Sequence, residues 1–297
     1  MLGGLSNNAE RVDRGQIMKA AASMGVLGAN SAGTSQILAT LCDPEVSAKQ
    51  VSAVVFRDPA LYARVLRVAN SSYYGQSRGI STLDRAIVVL GLEAVRGIAA
   101  AASLDRAIPR ANEPSLIDMS ALVRHSLATA AAAAALAQIH DRELGSEAFI
   151  AGLLHNLGIV VQLHLDRSGV MSIVSERLSD PTRDMRILED ERSIVGHEEC
   201  IAVIFESWQL PESLIAATRH HHDPMSAPVP HRRLAALVNL GANLGLAGGY
   251  TFTLEPAPVV RNFAAMECLG LENEHLDAVA GEVIQSVVEL QRALGAG

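Results

Sequence analysis

Residues 127–137 are the strongest constraint on the fold: eleven consecutive positions, eight of them alanine, with nothing larger than leucine. Alanine has the highest helix propensity of any residue, and a helix coated with methyl groups is stabilised by neighbours that approach closely. The run is too short for the roughly 20 apolar residues that cross a bilayer, so it reads as the middle of a closely packed core helix. Aromatic residues make up 3% of the chain against 49% hydrophobic residues in total. That balance suits helices meeting through small side chains better than a sheet, where aromatic and β-branched residues are enriched. With 297 residues, the chain can bury one large core or two smaller ones.

Punctuation elsewhere is helical. Residues 1–15 are polar and unpatterned and are expected to be loose, and a first helix is expected over 16–27, ended by Gly28. Asp43-Pro44 and Asp58-Pro59 each place a capping acceptor before a proline whose missing N–H costs nothing in the first turn, so a helix is expected to open at each. After the second, Leu61, Val65, Leu66 and Val68 form an apolar stripe, with Arg64 and Arg67 toward water. Ser81 followed by Asp84 resembles a capping box for a helix that Gly91 interrupts. Another helix is predicted over 92–104, and Pro109 and Pro114 mark a boundary within 108–115. Further helices are predicted over 118–138, from Ser146, and over 197–208, 211–222, 232–246 and 272–294; only 250–254 hints at strand alternation. The predicted architecture is all-α.

Charge and cysteine content narrow the function. The net charge is −8 and the 24 Lys and Arg residues are scattered, which disfavours a nucleic-acid surface because counterion release needs clustered cations. Cys42, Cys200 and Cys268 lie far apart, with the spacing of neither a disulfide framework nor a thiolate zinc site. No signal-peptide core opens the chain. A cytoplasmic protein without a membrane segment is expected.

Chemistry-bearing residues concentrate in the second half: His125, His155, His197 and the run His220-His221-His222. Imidazole nitrogen ligates zinc, iron and nickel, so convergence of these side chains would build a metal pocket, whereas a single helical histidine is more often a hydrogen-bonded structural residue. Helical spacing from Leu214 places His221 inward and His222 below Ile215. Glu198 and Glu199 beside His197 would complement the positive end of their own helix or lend a carboxylate to the pocket. In the first half, Asn70 is placed to satisfy carbonyls at a helix end, or to open, with Tyr73 and Tyr74, a binding surface between two halves.

The order His125, His155-Asn156, His197, the triple histidine and Asn243 resembles that of the HD superfamily of metal-dependent phosphohydrolases. Asp43-Pro44-Glu45-Val46-Ser47, Asp58-Pro59-Ala60-Leu61, Leu66-Arg67-Val68-Ala69-Asn70-Ser71 and Ile80-Ser81-Thr82-Leu83 make the likeness more specific. Together with Ala151-Gly152-Leu153-Leu154-His155, Gly196-His197-Glu198 and Trp208-Gln209-Leu210-Pro211-Glu212, they resemble the HD-related output domain, HDOD, over residues 36–223. The resemblance implies an all-α fold in which an N-terminal helical half (16–110) packs on an HD-like helical bundle (111–223), followed here by a C-terminal helical extension (224–297). It also implies a bacterial signalling module, found beside receiver or cyclic-dinucleotide enzyme domains, to which no catalysis is generally attributed.

Asn156 stands where the superfamily's pattern has the Asp of the His-Asp pair, and Asn243 stands for its late Asp. An asparagine carbonyl neither neutralises a divalent ion nor bridges two. The expectation is therefore a degenerate pocket of His125, His155, Asn156, His197, His221 and Asn243, with no catalytic residue and no cofactor. Metal is not expected, His125, His155, His197 and His221 being its weak candidates. A regulatory protein partner, or a small nucleotide-like ligand, is the expected interaction. The competing reading is a metal-dependent phosphodiesterase or phosphatase acting on cyclic or linear nucleotides.

Overall fold

A computed structural model describes residues 14–23, 40, 46–70, 80–92, 95, 99, 117–207, 210–254 and 261–294. Among them there is no strand. The helices are α1 (Arg14–Ser23), α2 (Ala48–Phe56), α3 (Pro59–Ala69), α4 (Leu83–Leu90), α5 (Met119–His140), α6 (Gly145–Leu154), α7 (Leu157–Leu165), α8 (Arg167–Ser179), α9 (Met185–Glu191), α10 (His197–Ser207), α11 (Glu212–Arg219), α12 (Arg232–Ala247), α13 (Phe263–Leu269) and α14 (Asn273–Leu294).

The alanine run lies within α5, the axis of the bundle. Helices α12, α6 and α14 all pack along it, and Ala128 and Ala130 to Ala134 are buried. The approach is close enough to exclude side chains: a Cβ on Gly241 of α12 would lie 2.8 Å from the Thr129 carbonyl oxygen and 2.9 Å from the Ala133 nitrogen. Two stretches, Met119–His140 and Glu147–Leu165, reach the length and hydropathy of a membrane span, and burial of 72% and 83% inside the protein accounts for their apolar character.

An N-terminal helical half packs on this HD-like bundle. Val51, Leu61, Val65, Leu83 and Leu90 of α2, α3 and α4 share one continuous core with Leu127, Leu237 and Val287. Helix α14 spans the junction, touching both α5 and α3. A smaller core joins Ile159, Val170, Ile173 and Leu188 to Phe252 and Leu254. Helix α1 seats against α10 and α7, with Ile17 buried.

The capping signals place helix starts with mixed accuracy. At Asp58-Pro59 the carboxylate accepts the Leu61 N–H at 3.0 Å and α3 begins at Pro59. Asp43-Pro44 lies outside the described residues; just beyond it Ser47 and Gln50 form a reciprocal capping box ahead of Ala48 that satisfies two otherwise orphaned donors. Thr82, and not Ser81, caps α4; Asp84 instead accepts from the Ser52 hydroxyl at 2.8 Å, joining α4 to α2. Helix α1 starts at Arg14, two residues before the expected position, and residues 250–254 form no strand, ending in a turn at Thr253 and Leu254. The predicted boundary at 108–115, most of the helix over 92–104 and the Tyr73-Tyr74 pair lie outside the described residues. Asn70 ties the end of α3 to the next segment: its amide donates to the Leu66 and Ile80 carbonyls at 2.8 and 2.7 Å, and its oxygen accepts the Ile80 N–H at 2.6 Å.

Candidate functional site

Five imidazoles form a chain inside the bundle. Ring centroids are 5.3 Å apart for His125 and His155, 4.9 Å for His155 and His221, 5.4 Å for His221 and His197, and 4.1 Å for His221 and His222. His125 comes from α5, His155 follows α6, His197 opens α10, and His221 and His222 follow α11. His125, His155, Asn156, His197 and His221 are all buried. The backbone also converges here, since a Cβ on Gly158 would lie 1.9 Å from the His197 carbonyl oxygen.

Four of these rings share one orientation. Nδ1 of His125 meets the Tyr250 carbonyl at 2.9 Å, Nδ1 of His155 the Gly152 carbonyl at 2.7 Å, and Nδ1 of His221 the Thr218 carbonyl at 2.6 Å. Nδ1 of His197 meets a Glu189 carboxylate oxygen at 3.0 Å. Each partner oxygen accepts, so each Nδ1 carries the proton and each Nε2 presents a lone pair. The Nε2 atoms of His155 and His221 are buried without a hydrogen-bond partner. Nε2 of His197 lies 3.1 Å from Nε2 of His222, a contact in which His222 donates. Burial first, and neighbouring imidazoles second, hold His155 and His222 well below the usual histidine range. Burial and His197 do the same for His221, so these rings are neutral around pH 7.

Glu189 is the one buried acid among the described residues. Besides the His197 ring it accepts the His197 backbone N–H at 3.2 Å and the Gln162 amide at 2.5 Å; the same amide also donates to the Val195 carbonyl at 2.6 Å. Sequence reasoning missed Glu189 because it stands in the acidic run Glu189-Asp190-Glu191, which reads as a solvated face. His222 was missed for another reason: α11 ends at Arg219, so helical spacing cannot be extended to it. The turn that follows brings His221 and His222 inward together, while His220 faces Ser226 at 2.9 Å near the surface.

Asn243 does not join the rings directly. Its amide reaches the Asn239 oxygen at 3.4 Å, and the Asn239 amide donates to the His221 carbonyl at 2.7 Å. Glu198 and Glu199 lie in the first turn of α10; Glu199 pairs with Arg219 at 2.9 Å, and burial pushes the Glu198 carboxyl up despite His197 and Arg186.

A pair of divalent ions of the phosphohydrolase kind does not fit this donor set. Such a centre needs anionic ligands to hold and bridge both ions, whereas the rings here offer neutral nitrogen. The nearest buried carboxylate is occupied on the Nδ1 side of His197.

The HDOD domain family model matches residues 30–224. A solved structure from Marinobacter aquaeolei VT8, described provisionally as a signal transduction protein, is 23% identical with a TM-score of 0.71, covering 98% of this chain and 68% of that one. An HDOD domain protein of unknown function from Geobacter sulfurreducens is 23% identical with a TM-score of 0.67, covering 94% and 97%. A protein from Shewanella amazonensis SB2B, described provisionally as a phosphohydrolase, is 21% identical with a TM-score of 0.68, covering 94% and 98%. These likenesses show the fold. An uncharacterized protein from Treponema pallidum (strain Nichols) is 26% identical over 197 residues, 66% of this chain and 37% of that protein. The match thus spans little more than a third of that relative's length.

Proposed function

The chain belongs to the HDOD domain family, and on that premise we propose that it is a non-catalytic module of bacterial signal transduction, working in the cytoplasm. It acts by binding a regulatory protein or a small ligand, and its HD-type pocket is a packed remnant of a two-metal centre. The description of the Marinobacter neighbour as a signal transduction protein favours this role.

One observation supports the reading: asparagine, and not a carboxylate, stands at positions 156 and 243. Asn156 is buried beside His155, and Asn243 turns to Asn239. Manganese, a hard ion that prefers carboxylate and carbonyl oxygen, would find neutral nitrogen. Phosphoester cleavage by two metals requires both ions and a bridging anion.

Calorimetric titration with manganese tests this. Wild type is expected to give no saturable binding, and the double variant Asn156→Asp, Asn243→Asp is expected to bind, because carboxylates return at both positions. Tight binding by wild type together with metal-dependent cleavage of a phosphodiester would instead establish the phosphohydrolase reading, which the description of the Shewanella neighbour favours.

A further inference from the structure

We infer that His197, His221 and His222 form a binding site for a single borderline transition-metal ion of the zinc class, held by imidazole nitrogen alone, with Glu189 as its outer carboxylate. One ligand atom from each of the three side chains lies within 4.8 Å of the others. A tetrahedral ion with bonds of about 2.0–2.1 Å has ligand–ligand edges of roughly 3.3 Å, so ring rotations that move ligand atoms by an ångström or so would close the site.

The rings are prepared for this ligation. A metal-bound histidine characteristically donates its other ring N–H to a carboxylate or a backbone carbonyl, which fixes the tautomer and aims the lone pair. His197 does so to Glu189 at 3.0 Å and His221 to the Thr218 carbonyl at 2.6 Å. The carboxylate is itself held, since Gln162 bridges it to the Val195 carbonyl. The second, independent observation is the His221 Nε2, buried and without a hydrogen-bond partner. Between His197 and His222 a ring proton occupies the 3.1 Å gap between the two Nε2 atoms. An ion takes the place of that proton when the His222 proton moves from Nε2 to Nδ1; the ring stays neutral, and the site gains the charge of the ion, offset in part by Glu189.

The donor set selects the ion. Imidazole suits zinc, copper, iron and nickel, whereas magnesium, calcium and manganese favour oxygen. The inference is separable from the regulatory reading. Ion binding without turnover leaves that reading intact; turnover by the loaded protein would overturn it and leave the site standing.

The test uses the full-length, tag-free protein, stripped with a chelator and returned to metal-free buffer. Zinc is titrated by calorimetry, and cobalt is added as a spectroscopic probe. Expected are one zinc per chain, an intense visible cobalt spectrum of a low-coordinate nitrogen site, and no binding of magnesium. Glu189→Gln is expected to weaken zinc binding about 10–100-fold at unchanged stoichiometry, and His222→Gln to weaken it further. Absence of a stoichiometric ion, zinc binding unchanged in His222→Gln, or magnesium binding as strong as zinc would overturn the assignment. Should His222→Gln fail to fold, wild-type cobalt decides alone: the weak spectrum of an octahedral, water-rich ion overturns the site.

Discussion

Glu189 and His197 are joined by a buried hydrogen bond of 3.0 Å from the imidazole Nδ1 to the carboxylate, and this contact fixes which face of the His197 ring looks into the pocket. Replacing Glu189 with leucine leaves the His197 ring N–H, the His197 backbone N–H and one Gln162 amide hydrogen without this acceptor. Each unsatisfied buried donor costs about 1–3 kcal/mol, so Glu189→Leu is expected to lower stability by at least about 2 kcal/mol. Urea denaturation checks this; an unchanged midpoint would show that Glu189 does not hold the ring.

The close approach of α12 to α5 gives a second prediction. Gly241→Ala places a methyl carbon 2.8 Å from the Thr129 carbonyl oxygen, a backbone atom that cannot swing away, so α12 must retreat from α5. Overpacking of this kind costs about 1–3 kcal/mol. The midpoint of urea unfolding should fall with the slope unchanged.

Much of this architecture is legible in the sequence, and the gaps have physical causes. The alanine run announces α5 because propensity and burial agree there. Asp58-Pro59 announces α3 because cap and proline agree. Where two capping residues compete, as with Ser81 and Thr82, local sequence does not show which side chain meets the free N–H groups. Helices α7, α8, α9 and α13 escape notice: α7 is apolar on nearly every side, and α9 and α13 have 7 residues each, too few for a clear period. The histidines could be ordered along the chain but not oriented, because the tautomer of each depends on carbonyls such as those of Gly152 and Tyr250, which only the folded backbone brings near.

Asn70 supplies a third prediction. Its three hydrogen bonds to Leu66 and Ile80 give it a structural task, and Asn70→Ala is expected to destabilise the protein by about 1–2 kcal/mol. Thermal melting measures this. A variant as stable as wild type would return Asn70 to the candidates for a binding surface.

The pH dependence of one cap is a fourth. Asp118 caps α5 through Ser120 and Ala121, and its carboxyl is held below the usual range first by the Ser120 hydroxyl and then by the Ala121 N–H and Arg124, against a raising effect of burial. A carboxyl depressed in the folded state contributes stability that is present above its unfolded value of about 3.9 and is lost as pH falls through the folded value. Asp118→Ala should therefore cost about 1 kcal/mol at pH 7, and the gap from wild type should shrink below about pH 4. A gap that stays constant into acid would show that the carboxylate charge is not what stabilises the helix start.

The claim that this pocket no longer performs phosphoester chemistry is tested most directly by turnover. Wild-type protein, free of contaminating hydrolase, is incubated with manganese or ferrous iron and with both a chromogenic phosphodiester and a cyclic dinucleotide. Product should form no faster than in protein-free controls with the same metal. Metal-dependent hydrolysis that disappears in the His155→Ala variant would contradict the account and make this chain an enzyme.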